Sequence, residues 1–128
     1  MSGAELLPSA PEVHPAEDWP DDLDALAAAP LHHSLLFEND VVRVLDTSIA
    51  PGETTPLHTH RWPATLYILK VSHFVRRGED GAVILDSRAI PPIVAGTALW
   101  SAPLAAHTLE NVGQTQLHVI AVELKRER

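Results

Sequence analysis

From Leu31 onward the chain is cut into short apolar runs by turn residues. Val41 to Ile49 is rich in branched residues and reads as a strand, stopped by Pro51-Gly52. Further runs cover 35–37, 57–60, 65–71, 73–76, 82–86, 97–101, 107–111 and 116–124. Gly78-Glu79-Asp80-Gly81 separates two of them as a hairpin turn, and Gly113-Gln114 turns between the last two. Strands this closely spaced leave no room for helical crossovers between parallel neighbours. An all-β fold follows, an antiparallel sandwich or barrel. The run at 65–71 reads as buried on both faces for much of its length.

Residues 1–30 differ in kind. They carry seven acids and no Lys or Arg, whereas the other 98 residues carry ten acids and nine bases. All but one unit of the net charge of −8 therefore belongs to the N-terminal segment, and that charge argues against nucleic acid as a partner. Pro8, Pro11 and Pro15 mark an extended acidic arm. Pro20 to Ala29 reads as a short helix, with Pro20 at its first position, acids in the first turn and Pro30 as its stop. Leu23, Leu26 and Ala27 would form its docking stripe, with Trp19 anchoring its start. The expected division is an arm with a short helix over 1–34 and a β-barrel over 35–128. No apolar run is long enough to span a membrane, and neither a signal sequence nor a cysteine is present, so a cytoplasmic protein is expected.

His58 and His60 stand two residues apart after the Pro51-Gly52 turn. On an extended strand such residues share a face, with roots about 6–7 Å apart. Two imidazoles so placed can lean onto one ion about 2 Å from each nitrogen. A third nitrogen must come from elsewhere, and His107 is the candidate.

The spacing of these residues resembles the cupins, a family of small jelly-roll β-barrels. Gly52, His58 and His60 fit the family's first motif, G-x5-H-x-H. Gly96, His107 and Asn111 fit the second at its outer positions. The first motif's glutamate falls at Ala64 or Thr65, and Ala102 and Leu104 replace the proline and inner glycine of the second. The resemblance implies a jelly-roll barrel over roughly 35–124. It also implies His58, His60 and His107 as ligands of a divalent ion, without the usual carboxylate. Imidazole suits iron, nickel, zinc or copper alike. Neutral ligands leave the ion its full charge, which favours a small anionic substrate. Ligand protonation predicts loss of the ion as pH falls below about 6.5.

Cupins of this kind include dioxygenases, isomerases, decarboxylases and lyases, and three-histidine ferrous sites among them favour a dioxygenase-like reading. The alternative is a non-catalytic binding or sensory cupin, with or without metal. A third is a structural dimer whose vestigial pocket is filled by side chains such as Leu66, Ile68 and Val122. A homodimer is expected, because a small barrel has open edges. Among the other histidines, His118 is expected in the core, sharing parity with Ile120 and Val122. His73 ranks below it as a further ligand. His32 and His33 are expected at the surface, and His14 in the arm. Asn111 is expected to fix backbone geometry. Arg61 is expected as a solvent-facing charge at the barrel rim, with a clamp for a substrate carboxylate as the alternative, and Glu110 is a general base if it faces inward. Trp62, Tyr67 and Trp100 read as core or interface aromatics. No catalytic residue is assigned.

Overall fold

A computed structural model of the chain describes residues 5–7 and 16–125. His14, most of the acidic arm and the last three residues lie outside the described residues. The fold is two facing sheets. The larger has six strands in the order β1 (Glu5–Leu7), β8 (Ala98–Ser101), β5 (Ala64–Lys70), β10 (Leu117–Leu124), β3 (Val42–Ile49) and β2 (His33–Glu38). The smaller has four, in the order β4 (His58–His60), β9 (Leu104–Asn111), β6 (Phe74–Gly78) and β7 (Val83–Asp86). All pairings are antiparallel except β1 with β8. This is the antiparallel two-sheet fold that the run-and-turn pattern predicts, in the jelly-roll form that the resemblance implies.

Alternation decides what faces the interior. On β10 the buried positions are Leu117, Ala121 and Glu123, so His118, Ile120 and Val122 project from the other face. His118 is therefore not a core residue; it pairs with Asp46 on the neighbouring strand. On β5, Ala64 and Ile68 are buried while Thr65, Tyr67 and Leu69 are exposed, so that strand is covered on one face only. Its continuous apolar run is not a sign of burial on both sides. One apolar cluster unites Ile49, Phe74, Leu85 and Leu117 between the sheets. A second, around Ala25, Leu45 and Ala121, joins the N-terminal segment to the larger sheet.

The helix over 20–29 is broken in two. A 3₁₀ turn covers Asp21–Leu23, and α1 covers only Ala25–Ala28. Between them Asp24 is extended (φ −56°, ψ 146°) and its carboxylate caps the Leu26 N–H. The buried residues are Asp24, Ala25 and Ala29, while Ala27 is exposed. So the docking face is set by a capping acid and two alanines with Leu26 packed beside them, and Ala27 of the expected stripe lies outside it.

Asn111 sits fully buried where β9 ends. Its amide donates to the carbonyls of Ile49 and Thr115, and its oxygen accepts from Ser72 Oγ and the Gly113 N–H. It holds four stretches of chain together, a structural task. Gly113 lies so close to this junction that a Cβ there would collide with Ser72 Oγ and lie 2.8 Å from the His73 nitrogen. Gly113→Ala is expected to lower stability by about 1–3 kcal/mol, read as a lower urea midpoint with an unchanged slope.

Candidate metal centre

The ladder between β4 and β9 pairs His58 directly with His107. Residues opposite one another on neighbouring strands share a face, so two histidines 49 positions apart become adjacent. Their ring centroids are 4.4 Å apart. His60, two residues along β4, lies 5.0 Å from His58 and 5.7 Å from His107. The structure thus brings His58, His60 and His107 to one end of the barrel. It adds a fourth ring. His33, expected at the surface, is 4% exposed and stands 4.9 Å from His58 and 5.3 Å from His60. It opens β2 opposite Thr47, whose neighbours Leu45 and Ile49 face the core, and so reaches in from the larger sheet. One ring nitrogen from each of His33, His58 and His60 lies within 4.8 Å of the other two. This group could hold a metal ion.

The hydrogen bonds fix which nitrogen is available. His33 Nδ1 meets the Ala29 carbonyl at 3.0 Å, His58 Nδ1 the Pro56 carbonyl at 2.8 Å, and His107 Nδ1 the Ala105 carbonyl at 2.7 Å. A carbonyl can only accept, so each Nδ1 carries the proton and donates. His60 Nδ1 meets the Glu123 carboxylate at 3.2 Å, and a carboxylate too can only accept, so this Nδ1 also donates. In its neutral form each of the four rings then has its lone pair on Nε2. A tied-off Nδ1–H is how proteins orient metal-binding imidazoles, so the donor set fits a divalent ion.

Solved structures share this architecture. A cupin domain from Bordetella pertussis superposes with a TM-score of 0.60 at 17% identity, over 73% of this chain and 92% of its own. An RmlC-like cupin family protein with a double-stranded β-helix fold, from Methanocaldococcus jannaschii, gives 0.53 at 16% identity, over 72% and 77%. A conserved protein with a double-stranded β-helix domain from Klebsiella pneumoniae gives 0.52 at 18% identity, over 73% and 70%. This chain has the cupin fold. No protein-family model matches it, and no curated protein does.

Below the histidines the cupin barrel encloses a cavity of about 120 Å³. Its wall is largely apolar, with Ile49, Leu66, Ile68, Phe74 and Leu117 among the lining residues. Leu66 and Ile68 line this space without filling it, and Val122 lies on the other face of β10, so the pocket is not closed by side chains. Arg76 is the one Lys or Arg in the lining. It is 2% exposed, and burial pulls its pKa down to about 10, so it remains a cation at neutral pH.

Other candidates point elsewhere. Arg61 donates to Asp21 at 2.7 Å and to the Trp19 carbonyl, so the carboxylate it clamps belongs to the N-terminal segment. Glu110 pairs with Arg77 and is absent from the cavity lining. His73 is exposed and meets Ser87 Oγ. Trp62 lines the cavity with Arg43 stacked 4.9 Å from its ring, while Tyr67 is exposed.

Burial, reinforced by the neighbouring His60, pushes His33 down to about 4 and His107 down to about 3. The same causes hold His58 well below the ordinary imidazole range. These rings stay neutral in the fold while the unfolded chain takes up protons below about 6.5. Their contribution is complete above that pH and is lost as the pH falls. Each neutral ring forfeits about 1.4 kcal/mol per unit below 6.5. The melting temperature of chelator-treated protein is expected to drop steeply between pH 7 and pH 5. A flat profile by circular dichroism would contradict the buried neutral rings.

Proposed function

We propose that this cupin binds one divalent metal ion through His58, His60 and His107, with His33 beside them, and acts on a small anionic organic molecule. The observation that carries this reading is that all four clustered rings donate through Nδ1, which leaves Nε2 as the ligand atom; nitrogens of His33, His58 and His60 come within 4.8 Å of one another, and His107 joins them through its ring contacts with His58 and His60. Iron, nickel, zinc and copper all accept such ligands. An ion held there supplies Lewis acidity and, for iron, the electrons of dioxygen chemistry.

The chain's own residues shape what enters. His33, His58 and His107 are held neutral by burial, so they cancel none of the ion's charge; Glu123 on the same wall is paired with Arg43, and Arg76 adds a cation. The apolar lining excludes water from around the bound molecule and strengthens its attraction to both. A carboxylate or enolate head with a short apolar body suits this combination. A dioxygenase-like reaction is the favoured chemistry. Exposed Leu35, Leu36 and Phe37 on the edge strand β2 support a homodimer.

Protein purified without a chelating tag and then loaded with ferrous iron or zinc is expected to retain about one ion per chain by mass spectrometry. His58→Ala and His107→Ala should each lose it. Oxygen uptake by the ferrous form with a panel of small carboxylates tests turnover. Tight binding of a carboxylate with no turnover would make the protein a binding or sensory module. Absence of any retained ion would defeat the metal reading. For the dimer, light scattering after gel filtration should give twice the chain mass, reduced to one by Leu36→Glu.

A further inference from the structure

Three of the four imidazoles are backed by neutral carbonyls; His60 alone is backed by a charge. That charge belongs to a buried chain. Glu123, 0% exposed, accepts from His60 Nδ1 through Oε2 and from Arg43 Nε through Oε1 at 2.7 Å. Arg43 donates its two terminal nitrogens to Asp24, both at 2.9 Å. Asp24 Oδ2 also caps the Leu26 N–H. Two acids and one base leave one net negative charge directly behind the site.

We propose that Glu123 is a positioning residue that supplies, from behind His60, the negative charge of the missing first-motif glutamate, and that Arg43 and Asp24 couple ion binding to docking of the N-terminal segment. The inference rests on the metal reading above. A carboxylate hydrogen-bonded to Nδ1–H fixes the ring and makes its Nε2 a stronger donor to a cation. It does so without occupying a coordination position, so a substrate keeps that place. Burying three charged groups is costly unless they are fully paired, and an apolar set of similar volume would serve stability as well. Here every member is paired, and the chain ends on a ligand-bearing ring.

The coupling has a second strand. His33 Nδ1 donates to the carbonyl of Ala29, at the C-terminal end of α1. The six residues from Asp24 to Ala29 therefore hold two of the four imidazoles, one from each end. Thr59, between His58 and His60, donates to the Leu23 carbonyl and bridges Asp24, which seats the segment against β4. If the docked segment improves the affinity for an ion, the ion must improve docking by the same factor.

The test uses the full chain and zinc alone. Glu123→Gln keeps an oxygen for the His60 N–H and removes the charge. Its zinc dissociation constant is expected to rise roughly 10- to 100-fold. Nitrogen-15 spectra should show His60 still protonated on Nδ1, which separates lost charge from lost structure. Asp24→Asn, remote from the rings, should weaken zinc binding roughly fivefold or more, and it carries the test if Glu123→Gln does not fold. In hydrogen exchange, zinc should slow the amides of residues 24–29 in the wild type and slow them less in both variants. Equal zinc affinity in wild type and variants, or exchange over 24–29 unaffected by zinc, overturns this proposal alone. No zinc uptake by the wild type overturns the metal reading, and this one with it.

Discussion

A histidine ring in a closed barrel must settle where its one proton goes. Water cannot decide it, so a fixed oxygen must. Here each of the four rings has its Nδ1 bound to such an oxygen: three backbone carbonyls and one carboxylate. The carbonyls of Pro56 and Ala105 each lie two residues before the ring they hold, so local chain geometry at the entry of β4 and within β9 does the work. The carbonyl of Ala29 and the Glu123 carboxylate are tertiary partners. The polar end of the cavity is organised by this rule, and the rest of its wall is largely apolar.

The carboxylate partner brings the most expensive interaction in the molecule. Burial alone would raise the pKa of Glu123 and of Asp24; their hydrogen bonds and the Arg43 charge more than offset it, so both stay ionised. Burial would likewise lower Arg43, and its two acid partners reverse that. Arg43 is the shared partner: removing it would leave both acids without their common base, whereas removing one acid leaves Arg43 paired with the other.

The sequence carries most of the architecture because strand alternation and turn chemistry are local. Gly52, with φ at +85°, makes the turn that precedes the first histidine pair. The histidines of β4 and β9 were legible from spacing. His33 was not, since a His-His pair ahead of a short apolar run looks like any surface turn. Its signal lies in pairing: β2 begins two residues earlier than its apolar core suggests, and the ladder with β3 turns His33 toward the interior. Glu123 was hidden for the same reason. It sits in an apolar strand whose inward parity is set by Leu117 and Ala121, and the branched residues between them suggest the opposite face. Arg61 and Asp21 were visible singly, but nothing in the sequence says that they meet.

The pairing of His58 with His107 has an evolutionary corollary. The loops that join the β4 and β9 strands lie outside the ladder, and their length can drift without moving either ring. A one-residue insertion inside β9 is a different event: it would swing His107 to the opposite side of the sheet while leaving the barrel intact. Descendants of this chain should therefore vary freely in their loops and hardly at all in the length of that one strand.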